Sequence, residues 1–394
     1  MNYGNNLQMK KINRTNRNVL FFLEKIRYNK PIRGSETMRL EVNVTNILLM
    51  IATTFVFSLI LVPICKKIAF HIGAIDYPNK RRLNKVPMPT IGGLAVFISF
   101  LLGYMIFGRG TTEMISILIA SFIILLVGLI DDIKPISAKY QLIGQIVAVL
   151  IIILYGKITI DDVTILGAHF VFPTPLNYLI TLIFMVGIIN AIDLSDGMDG
   201  LSSGICIIYF LTITIIAAII GGGKLGNMDT TIAILMIGAL LGFLVYNFPP
   251  AKIYVGVSGS SFMGLMVATT ALYGFKLATF TSLLIPLAIL ATPIIDVLFS
   301  IIRRSLKKQN PFTNPDKEHL HHQLLKMKFS TKTSLLIIYV INLCFSGVSI
   351  LYALGDITYA LTLYFALMII FLFIVLKTDI LLPKRERRKK NENK

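Results

Sequence analysis

The chain has 394 residues, of which 55% are hydrophobic and 15% charged, with a mean hydropathy of +0.76. A soluble domain carries about a quarter charged residues, so this composition excludes one. Apolar runs of about 20 residues recur along the length and indicate a polytopic α-helical membrane protein, not a β-barrel of short alternating segments. The formal charge of +18 does not argue for nucleic acid, because the basic residues sit in particular loops between apolar runs.

Residues 1–40 form a basic polar extension with nine Lys or Arg and two Glu. No apolar core with a cleavage site precedes the first span, so this is not a signal peptide. Eleven spans are expected, near 45–65, 91–108, 113–130, 139–155, 175–192, 201–220, 231–247, 260–275, 279–300, 333–352 and 357–377. The odd-numbered loops and the tail carry 25 Lys and Arg and the even-numbered loops four, Arg109, Lys157, Lys224 and Lys276. Positive charge marks the cytoplasmic side, which puts the odd loops and the C-terminus inside and the N-terminus outside. The basic residues ahead of Leu40 oppose that orientation. A translation start at Met38 removes the conflict except for Arg39, and N-terminal sequencing that finds residues 1–37 would refute it. The expected organisation is therefore the 1–40 extension, a membrane domain over 41–378 and a basic tail over 379–394.

Cys65, Cys206 and Cys344 each lie in an apolar run without metal or disulfide spacing, and read as core or lipid-facing residues. The longer even loop 156–174 is expected to hold an exposed hairpin, with Ile158-Thr159-Ile160 and Val163-Thr164-Ile165 flanking a solvated turn at Asp161-Asp162. His71 and His169 stand alone and are given no role.

Five polar clusters fall in the odd loops, and their shared side is stronger evidence than any one of them. The first runs from Asp76 to Gly93. Its Lys80, Arg81, Arg82 and Lys85 suit phosphate, or equally a positive-inside anchor, and Gly92-Gly93 permits close backbone approach. The second is Asp131-Asp132, closing a long apolar run. One acid would act as base or nucleophile while the other orients a cation or substrate; the alternative is an N-cap for the next helix.

The third, Asn190 to Leu201, sets Asp193, Asp196 and Asp199 at every third position, where a plain turn needs one Asp or Asn. The fourth, Asn247 to Ser261, is Gly-Ser-rich and offers backbone N–H groups to phosphate, or is a flexible turn. The fifth, 301–332, holds Arg303-Arg304 and then His319, His321 and His322. No Cys or second His pair supports zinc there, and protonated or hydrogen-bonding His beside a diphosphate fits better than a surface His run. Acids at oxygen-ligand density, basic phosphate-binding groups and Gly turns together point to Mg²⁺-assisted phosphoryl transfer between a soluble nucleotide and a lipid.

Over about residues 45–330 the chain also resembles the polyprenyl-phosphate N-acetylhexosamine-1-phosphate transferases, relatives of the phospho-MurNAc-pentapeptide transferase. The matching pieces are Pro87 to Gly93, Gly128 to Asp132, Asn190 to Leu201, Pro249-Pro250-Ala251-Lys252 and His319-Leu320-His321-His322. The His-Leu-His-His form resembles the branch that uses UDP-N-acetylglucosamine. The resemblance implies attack by undecaprenyl phosphate on the sugar-side phosphate of UDP-GlcNAc. UMP is released, and a teichoic acid, O-antigen or related envelope polymer begins.

The same resemblance implies catalytic roles for Asp131, Asp132, His319, His321 and His322. It implies a Mg²⁺ site, also open to Mn²⁺, at Asn190, Asp193 and Asp196. Substrate contacts would come from Lys85, Asp196, Gly197, Met198, Asp199, Lys252, Arg303 and Arg304. The implied setting is the bacterial cell membrane with cytoplasmic catalytic loops. The implied partners are a UDP-sugar, undecaprenyl phosphate and the bilayer, with a homodimer allowed and no nucleic acid.

The pattern is broken at Val257, in Gly256-Val257-Ser258-Gly259-Ser260, where the family has an Asp that binds Mg²⁺. Valine has no side-chain oxygen and no charge to balance the ion. Ser195 replaces a usual aliphatic residue and Glu318 a usual Gly. Three readings follow: an active transferase in which a neighbouring acid or water fills the ligand position, an impaired relative that still binds nucleotide or lipid, and an ion-coupled transporter. The transporter reading is disfavoured because the acids lie in loops on one side and no inverted repeat of broken spans is evident.

Overall fold

The computed structural model describes residues 44–78, 86–165, 168–220, 227–276, 289–306, 319–355 and 357–377. It is an all-α bundle with two short hairpins. The helices are α1 (Val44–Ile72), α2 (Gly92–Phe107), α3 (Thr112–Ile133), α4 (Ala138–Leu154), α5 (Leu176–Ser195) and α6 (Leu201–Ile220). They continue with α7 (Met228–Asn247), α8 (Gly256–Lys276), α9 (Ala291–Leu306), α10 (Leu320–Lys326), α11 (Thr331–Ala353) and α12 (Ile357–Lys377).

Six of these, α1, α3, α5, α6, α7 and α11, are long and apolar enough to cross a bilayer, and α2, α4, α8 and α12 contain shorter apolar helices. Their outer faces expose Leu48, Ile60, Phe122, Ile183, Phe365 and Ile369. In water each such face would forfeit about 25 cal/mol per Å² of apolar surface, so its natural solvent is lipid. The expected multi-span membrane fold is thus borne out. Within the expected ninth span, residues 279–288 lie outside the described residues, and α9 is amphipathic, ending in Arg303 and Arg304. The 1–40 extension and the 379–394 tail also lie outside the described residues. Cys65 and Cys206 are buried and Cys344 is exposed on α11, all three as free thiols.

The organising helix is α8, which packs against α2, α3, α5, α6 and α7. Its first turns accept backbones at glycine distance. A Cβ on Gly93 of α2 would stand 2.0 Å from Gly259 Cα, and one on Gly128 of α3 would stand 2.3 Å from Ser258 Cα. Small residues at the crossing are how apolar helices gain packing in lipid, where no hydrophobic drive pulls them together.

A bilayer requires the backbone groups freed inside a span to find partners within the bundle, and Pro63 shows one. Pro63 lies inside α1 and has no N–H to offer the carbonyl four residues earlier, Leu59. Tyr246 Oη of α7 donates to that oxygen at 3.1 Å.

The loop between α1 and α2 is drawn together by an antiparallel pair, β1 (Ile75–Asp76) and β2 (Met88–Pro89), in register Ile75↔Pro89 and Asp76↔Met88. It docks on the loop after α7: Tyr254 N–H donates to Pro89 O (2.8 Å), Gly92 N–H to Tyr254 O (3.0 Å) and Gly93 N–H to Val255 O (2.8 Å).

The expected hairpin between α4 and α5 exists, but its register is different. Strands β3 (Asp162–Ile165) and β4 (Ala168–Val171) pair, so Asp162 is a strand residue and not part of a turn. Asp161 is not a free turn acid, because its Oδ1 accepts from Thr159 Oγ1 (2.7 Å) and Asn177 Nδ2 (3.0 Å). The alternation used to place the turn could not distinguish these two registers. The bonds to Thr159 and to Asn177 on α5 select one.

The α2–α8 crossing yields a direct test. Gly93→Ala should cost about 1–3 kcal/mol or more through overpacking against backbone that cannot yield. It would be seen as a lowered thermal midpoint of the purified protein in detergent.

Candidate functional site

The third cluster begins where α5 ends. Asp193 lies in the last turn of α5 and Asp196 is its C-cap residue. The short loop to α6 carries Gly197, Met198 and Asp199. Gly200 has φ +75, so the chain turns there in the left-handed region.

Two residues outside the cluster hold this loop. Asn247, at the end of α7 and buried, accepts from Gly200 N–H (3.0 Å) and Ser203 Oγ (3.1 Å) and donates from Nδ2 to Ile253 O (2.9 Å). Tyr339 Oη of α11 donates to Gly200 O at 2.5 Å. Asp199 Oδ2 accepts from Ala251 N–H at 3.0 Å, which ties the third cluster to the fourth.

The second cluster meets the fourth at the start of α8. Asp132 Oδ1 accepts from Val257 N–H (2.9 Å), and Oδ2 accepts from Ser258 N–H (3.2 Å) and Ser258 Oγ (2.6 Å). Asp132 is an N-cap, but of a helix 125 positions away and not of the next helix. Gly256 (φ +74) makes this approach available: a Cβ there would stand 1.8 Å from Thr90 O and 2.5 Å from Asp132 Oδ2. Asp131 Oδ1 accepts from Ile136 N–H at 2.8 Å and thereby shapes the turn after α3.

Each acid of the inner group has a hydroxyl partner. Ser260 Oγ donates to Asp193 Oδ1, and Ser202 Oγ donates to Asp196 Oδ1 at 2.5 Å. Asp193 lies within electrostatic reach of Asp131, and Asp196 within reach of Asp193, Asp132 and Asp199. Asp196 keeps an exposed edge, yet protein packs around its carboxyl. Burial pushes it up to about 7, and the Asp193, Asp132 and Asp199 charges add to the rise against the Ser202 hydrogen bond. Burial likewise raises Asp199, against the Ala251 N–H.

A cluster of like charges held by neutral donors calls for a cation. Asn190, Asp193 and Asp196 offer only the oxygen ligands that Mg²⁺ takes. Among the described residues no three His, Cys, Asp or Glu side chains are arranged to close a metal site by themselves.

The fifth cluster is brought onto the third. A Cβ on Gly197 would stand 2.3 Å from His321 Nε2, so the ring lies directly against the acid loop. Asp296 of α9 anchors the His segment, its Oδ2 3.0 Å from His319 Nδ1 and its Oδ1 accepting from Leu320 N–H at 3.0 Å. The His319 and His321 rings lie parallel at 5.8 Å, and His321 and His322 are 4.2 Å apart. His321 is 2% exposed, and burial, with His322 and His319 beside it, pushes its pKa down to about 3 against the pull of Asp296. It is therefore neutral near pH 7.

The remaining expected site residues divide. Met198 is buried under the loop. Lys252 has an exposed side chain, while its N–H donates to Tyr246 O. Arg303 is 1% exposed and lies two helical turns beyond Asp296 on α9, and Arg304 is half-buried beside it. The structure therefore turns Arg303 inward, away from open solvent. Lys85 and the variant position Glu318 lie outside the described residues. Ser195, the other variant position, donates from Oγ to Ala191 O within its own helix.

Asn247, Ser258 and Ser260 fall within the fourth cluster but carried no role of their own there, and Ser202 and Tyr339 lie outside every cluster. Asp296 lies on α9, ahead of the fifth cluster. A buried Asn where a span meets a Pro-Pro loop was the available signal for Asn247.

The model of the family described as Glycosyl transferase family 4 matches residues 114–275. The chain is 39% identical over 332 residues to a protein of Bacillus subtilis (strain 168) named as a probable undecaprenyl-phosphate N-acetylglucosaminyl 1-phosphate transferase, over 82% of this chain and 89% of the relative. It is 34% identical over 303 residues to a decaprenyl-phosphate N-acetylglucosaminephosphotransferase of Mycobacterium tuberculosis (strain ATCC 25618 / H37Rv), over 70% of this chain and 74% of the relative. It is 28% identical over 320 residues to an undecaprenyl-phosphate alpha-N-acetylglucosaminyl 1-phosphate transferase of Thermotoga maritima, over 81% and 93%.

The buried neutral His321 predicts a pH effect. Its folded pKa lies below the ordinary 6.5, so the stability it contributes is full above about 6.5 and is lost as pH falls toward about 3. Thermal unfolding across that window should show a steeper acid loss for the parent than for His321→Gln, which has no proton to take up.

Proposed function

This chain belongs to glycosyl transferase family 4, and we propose that it transfers a sugar-1-phosphate from a UDP-sugar, GlcNAc-1-phosphate in the first instance, to undecaprenyl phosphate. An oxygen of the lipid phosphate forms the new P–O bond to the sugar-side phosphorus. The bridging P–O bond breaks, and the electron pair leaves with UMP. The coarser part, transfer of a sugar phosphate to a polyprenyl phosphate, is supported by the names of the relatives. The UDP donor, the envelope polymer and the cytoplasmic sidedness are our reading.

The observation that carries the proposal is the meeting at one end of the bundle of Asp131-Asp132, Asp193, Asp196, Asp199 and the His319–His322 segment. Mg²⁺, held by Asn190, Asp193 and Asp196, would neutralise the diphosphate. The chain's own groups do the rest. Asp132 is committed at both oxygens to the start of α8, so it fixes geometry. Asp131 has one oxygen outside its bond to Ile136 N–H and suits acceptance of a proton from the lipid phosphate. His321 and His322, beside the acid loop, suit hydrogen bonding to phosphate oxygens. The apolar helix faces keep the acceptor's chain in lipid and bring its phosphate to the acids.

One observation favours a second reading, an impaired relative. Val257 lines a small cavity of about 10 Å³ with Ile124, Val127, Gly128, Gln141, Gln145 and Ser261, and that lining contains no acid. The metal reading then depends on the remaining ligands.

Radiolabel transfer from UDP-GlcNAc to undecaprenyl phosphate by purified protein with Mg²⁺ tests both. The parent should transfer label, and Asp196→Asn should lower the rate about 100-fold. Transfer by the parent equal to that of Val257→Asp discards the impaired reading. Absence of transfer and of nucleotide binding in both proteins would overturn the proposed activity.

A further inference from the structure

Asn190 sits on α5 one turn before Asp193, on the same helix face. Its Nδ2 lies 2.8 Å from the carbonyl oxygen of Val186. A backbone carbonyl only accepts, so the NH₂ end of the amide must face it. The second hydrogen of that NH₂ points across to α4, where Gln145 Oε1 stands at 2.7 Å. Gln145 is 5% exposed and is held within the α3–α4–α8 packing, where it lines the same cavity as Val257.

Both N–H groups of Asn190 are thereby used, and among the described residues no hydrogen bond goes to its Oδ1. Turning the amide over would set that oxygen against two acceptors and lose both bonds. The orientation of Asn190 is therefore set from two sides, and one of the two is a side chain of a different helix. Asp193 next to it is fixed in the same manner, by Ser260.

We infer that Gln145 is a positioning residue for the transfer site: by accepting from Asn190 Nδ2 it fixes the Asn190 carbonyl oxygen as a ligand for a divalent cation. The inference rests on the metal reading in the proposed function. Gln145 acts only through Asn190 and touches neither substrate nor ion. Partners one step behind a ligand typically govern its orientation and, when lost, lower metal affinity about 10–100-fold. Val257 gives Asn190 added weight here, because position 257 supplies no oxygen to the site.

The test is Mn²⁺ binding to the purified full chain in the presence of UMP, followed by electron paramagnetic resonance of the free ion. Gln145→Met keeps length and bulk without an acceptor, and should weaken Mn²⁺ binding about 10–100-fold. Asn190→Ala should weaken it at least as much, and the double variant should be no weaker than Asn190→Ala alone, as expected when one residue acts through the other. Gln141→Leu changes the same cavity one turn away and should bind as the parent does. Gln145→Ala takes the place of Gln145→Met if the latter does not give folded protein.

Parent-like Mn²⁺ binding by the Gln145 variant, losses that add in the double variant, or an equal loss in Gln141→Leu would each overturn the inference. A parent that binds no Mn²⁺ with UMP would overturn the metal reading beneath it, a result distinct from these three.

Discussion

The site depends on one carboxylate placed against one helix start. Asp132, at the end of α3, takes the two leading N–H groups of α8 and the Ser258 hydroxyl. Those N–H groups have no partner within their own helix, and the positive end of the helix dipole favours an anion there. Since α8 is the helix against which α2, α3, α5, α6 and α7 pack, this contact sets where the acids stand relative to the whole bundle. The backbone cooperates: Gly256 has the left-handed conformation, and no Cβ there obstructs Asp132. One turn further on, Ser260 reaches Asp193 of α5. A single helix start thus holds acids from two other helices.

The charge logic of the site follows from that arrangement. Its acids are held by amides and hydroxyls, which orient a carboxylate without cancelling its charge. Burial, with the charges of Asp193, Asp132 and Asp199 beside it, raises Asp196 to about 7. On the opposite wall, burial against Gly197 keeps the His321 ring neutral. Asp296 meanwhile spends both oxygens on His319 and Leu320, fixing the start of α10 where the His segment meets the acid loop. A site built this way concentrates negative charge beside the His segment, and a separate acid, Asp296, orients the His319 ring.

Lipid solvation explains why so much of the molecule can serve so few residues. Apolar faces such as those bearing Phe122 and Ile183 need no internal partner in a bilayer, so the buried positions are left for close helix contact and polar bonding. The Tyr246 bond to the Leu59 carbonyl freed by Pro63 shows the same accounting in the middle of a span. The loops at the site end are bonded to one another, through Tyr254 to Pro89, Asp199 to Ala251 and Asn247 to Gly200.

The sequence by itself determined the membrane fold, most span positions and the clusters that matter, because hydropathy and the three-residue spacing of Asp193, Asp196 and Asp199 are local properties of the chain. It also marked Val257 as a departure. Tertiary structure alone decided the partners. Asp132 caps a helix 125 residues away, Gln145 faces Asn190 across 45 positions and Tyr339 reaches Gly200 across 139. The hairpin within 156–174 does not turn at Asp161-Asp162 as expected: Asp162 pairs as a strand residue, and Asp161 has bonding partners at Thr159 and Asn177 that alternation does not encode. Periodicity records which face of an element is apolar. It carries no information about which distant donor will meet a given acid, and in this protein that pairing builds the site.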